Sequence, residues 1–237
     1  MNNKLLACGV IAGPLFLAVS LAQAFTRHGY DLNRHPISLL SLGDLGSVQI
    51  ANFVGCGALL VACAVGMRRA IHHGRGATWG PLLIGVNGLG LIVAGVFVTD
   101  PGAGFPPGAP AGPPEHVTWH GVLHEVGFGL ATLAGLAVCF VLLRRFAAAG
   151  ERVWVAACIA APVADVVVSA WPDLNTLPVR LLIGSAISFG FVAAVAVRLA
   201  AEVRDRGAGP AVVKPPTCTT GPLPSAVPSD QPSATPS

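Results

Sequence analysis

The chain has 237 residues, 53% of them hydrophobic and 11% charged, with a net charge of +3 and a mean hydropathy of +0.69. A soluble domain carries about 25% charged residues, so this composition leaves too little polar surface to cover a water-exposed fold and points to lipid as the solvent. The small basic excess is scattered over several loops, which excludes a nucleic-acid-binding face and makes the lipid bilayer the expected partner.

The predicted architecture is an all-α membrane protein, a six-transmembrane-helix bundle at residues 1–206 followed by a disordered tail at 207–237. Spans are expected near residues 5–25, 47–67, 79–99, 119–143, 152–171 and 179–201. Each is long enough to cross a hydrocarbon core of ~30 Å at a rise of ~1.5 Å per residue. Helix is required because backbone groups in lipid must bond within their own segment. No alternation of period two suggests a barrel.

The first span carries an ambiguity. Lys4, the apolar run and Ala22-Gln23-Ala24 imitate a secretory signal with its cleavage site. Its length and the polytopic remainder favour an uncleaved helix. Residues 26–46 then form a long loop holding Asp31, His35, Pro36, Ser38 and Asp44. Asp31 and His35, four residues apart, suit a base and its orienter or two metal ligands. Ser38 fits a helix N-cap or a group that polarises a substrate.

Gln49 and Asn52 open the second span, Asn87 lies near the middle of the third, and Asp100 closes it. A Pro- and Gly-rich loop at 100–118 leads to His116, His120 and His124, spaced to line one helical face. Imidazoles at i and i+4 have Cβ atoms ~5–6 Å apart, close enough to share a metal. The pattern is not that of a zinc protease, because Phe128 stands where H-E-x-x-H needs histidine.

Asp165 lies in the fifth span, where an aspartate costs roughly 2.5–3.5 kcal/mol on insertion scales and calls for a partner. Asn87 is the candidate for that partner. Glycines within the spans, Gly57, Gly88, Gly90, Gly95 and Gly127 among them, are read as helix-packing positions. Five cysteines lie in apolar stretches and are expected to act as small buried hydrophobes. The tail is Pro-, Ser- and Thr-rich and cannot bury enough surface to fold.

Charge sets the expected topology. Lys4, the arginines of the 68–78 and 144–152 segments, Arg198, Arg204, Arg206 and Lys214 fall on one side, and Arg27, Arg34 and Arg180 on the other. The basic side is expected in the cytoplasm, giving a multi-pass plasma-membrane protein with both termini inside. The side poor in Lys and Arg collects the polar candidates. Asp31, Ser38 and Asp165 are candidate catalytic groups, and His35, Asp100, His120 and His124 are candidate metal ligands, with the cofactor left open and zinc the metal such a set would suit.

His35-Pro36-Ile37-Ser38, Leu42-Gly43, Gln49, Asn52-Phe53, Gly95-Val96-Phe97, Asp100-Pro101, Gly104-x-Pro106 and the paired His120 and His124 together resemble the bacterial membrane family called domain of unknown function 998. The resemblance covers roughly residues 5–200 and implies a six-helix integral membrane protein with no settled activity. A looser analogy is to zinc-dependent seven-helix membrane hydrolases of the alkaline ceramidase and adiponectin-receptor type, which have one helix more and a different motif order.

Three functions follow from these residues. The first is a metal-dependent membrane hydrolase. The second is a proton-linked transporter or sensor in which Asp165, Glu125 and the histidines form a titratable path. The third is a non-catalytic membrane protein that binds a small molecule, lipid or partner.

Overall fold

The computed structural model describes residues 2–207. The segment where the sequence predicts a disordered tail, 208–237, lies outside the described residues. Six α-helices follow one another: α1 (Asn2–Thr26), α2 (Gly46–Ala70), α3 (Trp79–Val96), α4 (Trp119–Ala148), α5 (Arg152–Ser169) and α6 (Leu177–Gly207), with short 3-10 turns at Ile37–Ser41 and Leu174–Thr176. All six are long and apolar enough to cross a membrane, and no strand is named among the described residues. This is the expected multi-pass helical fold.

Successive helices pack on one another, and α6 returns to α1, so the bundle closes into a ring. Neighbours run antiparallel. Gly66 near the end of α2 meets Leu5 at the start of α1, and Gly95 at the end of α3 meets Phe53 near the start of α2. The ends of the bundle therefore differ in chemistry. One end, the arginine end, holds the start of α1, the 71–78 and 149–151 connections and the end of α6. The other, the histidine end, holds residues 27–45, 97–118 and 170–176.

At the arginine end Glu202 of α6 pairs with Arg145 of α4 at 3.4 Å, with Arg198 at 3.2 Å and with Arg206 at 3.0 Å. Arg198 also reaches Glu151 at 3.1 Å. These ties join α4, the start of α5 and α6. Cationic side chains in the last turns of α2, α4 and α6 also complement the negative ends of those helix dipoles.

The apolar core runs through Leu6, Phe16, Leu60, Met67, Ile84, Leu142, Phe146 and Leu199. Cys56, Cys63, Cys139 and Cys158 are free and buried, as small hydrophobes should be. Glycine pairs bring helices into backbone contact: Gly57 of α2 against Gly88 of α3, and Gly90 of α3 against Gly127 of α4. The packing role read for these glycines holds. Gly55 has open space around it and takes no part.

Candidate functional site

The histidine end is a cap built from two loops. Tyr30, 5.3 Å from His35 and 5.3 Å from Phe105 between ring centroids, starts an aromatic cluster. Phe105 is buried and carries the Arg27 guanidinium over its ring at 5.1 Å. Arg27 donates to the Leu40 carbonyl at 2.5 Å and the Leu42 carbonyl at 2.6 Å, fixing the Ile37–Ser41 turn against the end of α1. The Tyr30 hydroxyl donates to the His35 carbonyl at 2.6 Å. Burial, with help from Asp31, holds this phenol above its ordinary range, so it stays a neutral donor.

His35 is 3% exposed and both ring nitrogens are engaged. Nδ1 accepts the Asp31 backbone N–H at 2.8 Å, and Nε2 lies 3.0 Å from the Ala103 carbonyl. A carbonyl only accepts, so Nε2 carries the proton and Nδ1 spends its lone pair within the loop. His35 therefore clasps the 27–45 loop to the 97–118 loop and has no lone pair left for a metal. The Asp31 carboxylate turns instead to Asn33, accepting its backbone N–H at 2.9 Å. The Asp31–His35 pair exists, but through backbone rather than carboxylate, so it is not a base and its orienter.

Asp100 is 8% exposed and serves the start of α4. Its Oδ2 accepts the Thr118 N–H at 2.9 Å and its Oδ1 the Thr118 hydroxyl at 2.6 Å. The Thr118 oxygen in turn accepts the Gly121 N–H at 3.1 Å, the N-cap bond of α4. The carboxylate sits at the positive end of the helix dipole. A Cβ at Gly121 would collide with Asp100 Oδ2, so this approach requires glycine.

His124 is 3% exposed and its Nδ1 lies 2.7 Å from the Ala94 carbonyl and 3.1 Å from the Phe97 carbonyl. It donates to the terminal carbonyls of α3, which have no partner within their own helix. His120, one turn earlier, is exposed and rests on Trp119 and Phe97. Among the described residues no three His, Cys, Asp or Glu side chains gather in a way that could hold a metal ion. His35, Asp100, His120 and His124, the ligands expected for zinc, do not form such a group. His35 and Asp100 hold the cap and the start of α4 through hydrogen bonds, His124 uses its Nδ1 on the end of α3, and His120 stacks at the surface.

Inside the ring lies a cavity of about 1090 Å³. It begins under the histidine-end cap at Ser38, Asp100, Ala103 and Pro114 and reaches Asn87, Thr132, Asp165 and Val192 well inside the bundle. Room for it comes from small residues on α6, Gly184, Ser185 and Ser188. Asp165 is half-buried and receives only the Ser169 hydroxyl, at 3.5 Å. Asn87 is 7% exposed and donates to the Ala131 carbonyl at 2.6 Å rather than to Asp165. The expected direct Asn87–Asp165 bond is not made, although both side chains face the same space.

The structure therefore divides the sequence-predicted groups. Ser38, Asp100 and Asp165 line the cavity, with Glu125, while Asp31, His35, His120 and His124 do not. Ser38 caps nothing, since Pro36 precedes the 3-10 turn without a side-chain cap bond. Sequence reasoning missed Arg27, Tyr30 and Thr118. It also missed the buried amide network in which Gln49 Oε1 accepts from Gln23 at 2.7 Å and Gln49 Nε2 donates to Ser20 at 3.1 Å. The spacing Ser20, Gln23 on α1 and Gln49, Asn52 on α2, three residues apart on each, was the available signal.

No curated protein matches the chain and no solved structure matches it. The family described as "Protein of unknown function (DUF998)" matches residues 10–200, which takes in α2 to α5 whole, α1 from residue 10, α6 through residue 200, the cap and every lining residue of the cavity. On that match the chain belongs to the DUF998 family.

Proposed function

We propose that this protein binds a small molecule in the cavity of its helix ring and links that binding to protonation of Asp165, as a transporter or sensor does. The carrying observation is the cavity of about 1090 Å³ that extends from the cap to the Asp165 carboxyl, one turn before the end of α5, with one weak partner. Pockets of ~300–1,000 Å³ are the usual size for small-molecule ligands. A lone carboxyl in a span marks a site where charge is exchanged, with a proton or with a ligand. The groups around it are few. Cys139 of α4 and Glu125 across the cavity are the titratable neighbours, and Arg180 of α6 is occupied with carbonyls at the end of α5.

The test is native mass spectrometry of protein extracted in mild detergent. A non-covalently bound molecule is expected on the wild type and absent from Ser185→Trp, which fills the cavity. Asp165→Asn, of the same size, should remove the dependence of its occupancy on pH. Identical spectra for wild type and Ser185→Trp would sink the reading.

We also propose that the arginine end faces the cytoplasm of a plasma-membrane protein, on the excess of Lys and Arg in its short connections. A membrane-impermeant thiol reagent applied to intact cells is expected to label His116→Cys and to leave Ala149→Cys unlabelled. The reverse pattern would invert the orientation.

A further inference from the structure

The cavity has a one-signed electrostatic character. Its charged lining groups are Asp100, Glu125 and Asp165, and among the described residues no Lys, Arg or His lines it. The three arginines at the histidine end are committed elsewhere. Arg27 donates to Leu40 and Leu42 carbonyls, Arg34 to the Ala111 carbonyl at 3.1 Å, and Arg180 to carbonyls of Val168, Ser169, Trp171 and Asp173. Each is therefore held against backbone carbonyls and paired with none of the cavity's carboxylates.

A second observation concerns an acceptor. Asn87 spends its Nδ2 on the Ala131 carbonyl, and its Oδ1 has no hydrogen-bond partner among the described residues. This side chain is 7% exposed, and what it exposes is toward the cavity. The rest of the wall mixes hydroxyl side chains, Thr132, Ser185 and Ser188 among them, with apolar and aromatic ones, to which Phe16, Phe53, Phe128 and Phe189 contribute. Phe16 packs edge-on to Phe53 at 5.3 Å and tilted against Phe189 at 5.1 Å. Aromatic faces attract cations within about 6 Å of the ring centroid.

Carboxylates without basic side chains beside them, an unpaired amide oxygen and aromatic walls select one class of ligand. We propose that the cavity binds an amphipathic organic cation, its charge set near Asp165 and Glu125 and its apolar body against the phenylalanines. This rests on the cavity being the ligand site. An anion would meet uncompensated repulsion in a low-dielectric space, and a neutral molecule would leave the carboxylates without a counter-charge. Cation and proton compete for Asp165, because each supplies the one positive charge the carboxylate lacks. Lowering the pH through the titration of that carboxyl therefore weakens cation binding, and raising it strengthens binding.

The test uses two probes of nearly the same size and opposite charge, tetraphenylphosphonium and tetraphenylborate, in equilibrium binding to the full chain in detergent. Tetraphenylphosphonium is expected to bind, to bind more weakly as pH falls, and to lose at least about tenfold in affinity in Asp165→Asn, a change of ~1.4 kcal/mol. Glu125→Gln should weaken it less, and Ser185→Trp should leave only partition into micelles. Equal binding of the two probes, or tighter binding of the borate, overturns the cation assignment while leaving cavity binding intact. Absence of phosphonium binding overturns it too. In that case the co-purified molecule seen by mass spectrometry decides separately whether the cavity is a ligand site at all.

Discussion

Gly90→Leu is expected to cost several kcal/mol of stability or to prevent the bundle from forming, whereas Gly55→Leu, also within a helix, should be nearly neutral. A Cβ at Gly90 would lie 2.6 Å from the Gly127 carbonyl oxygen and 2.7 Å from the Ala131 nitrogen. Both are backbone atoms of α4, so no side-chain rotation relieves the overlap and the helices must part. Overpacking in a rigid interior costs about 1–3 kcal/mol where side chains can adjust, and more where they cannot. Two hydrogen bonds also span this interface, Asn87 to the Ala131 carbonyl and His124 to the Ala94 carbonyl. Parting α3 from α4 lengthens both and leaves buried polar groups unpaired, at about 1–3 kcal/mol each. Gly55, with open space around it, gains an apolar side chain at no steric cost. Thermal unfolding in detergent separates the cases, and equal melting temperatures for the two variants would refute the backbone-contact account.

The contrast between those two glycines also marks where the sequence stops being legible. Hydropathy and helix length reveal six spans because lipid imposes both on any chain that crosses it. The sorting of arginines separates the two ends for a similar reason. Rotation of each helix about its axis is decided by packing, and the sequence encodes it weakly. His120 and His124 share a face by spacing, and α4 is turned so that this face meets the end of α3, where His124, one turn further in, is buried and His120, in the first turn, is exposed. Glu125, about 100° further round, is thereby delivered to the cavity.

The expected ligands do not gather into a metal-binding group among the described residues, for a related reason. Histidine and aspartate spacing is visible in a sequence, whereas the carbonyls of Ala94, Phe97 and Ala103 that consume the imidazole donors are not. The cavity is harder still to foresee, being defined by volume that Gly184, Ser185 and Ser188 leave unfilled. Asp165 was legible, because a carboxylate in an apolar stretch stands out without any knowledge of its neighbours.

Asp100→Ala is expected to destabilise the fold by about 2–4 kcal/mol, because it strips the Thr118 N–H and hydroxyl of their shared acceptor and removes a negative charge from the start of α4. Thr118→Val should cost about 1–2 kcal/mol through loss of the cap bond to Gly121. The two losses share one chain of bonds, from Gly121 through Thr118 to Asp100, so the double variant should fall short of their sum by ~0.5 kcal/mol or more. Asp100→Asn keeps one oxygen acceptor and should lie between wild type and Asp100→Ala. Chemical or thermal unfolding of the four variants in detergent measures this cycle. Strict additivity would mean that Asp100 and Thr118 act independently, and an Asp100→Ala variant as stable as wild type would return the carboxylate to the list of groups free for chemistry. The cycle matters for the ligand as well. Asp100 stands at the cavity mouth with its oxygens already occupied by Thr118, whereas Asp165 stands deeper with one weak partner. Loss of stability without loss of tetraphenylphosphonium affinity at Asp100, and the opposite at Asp165, is the pattern that divides the carboxylate holding the helix from the carboxylate meeting the ligand.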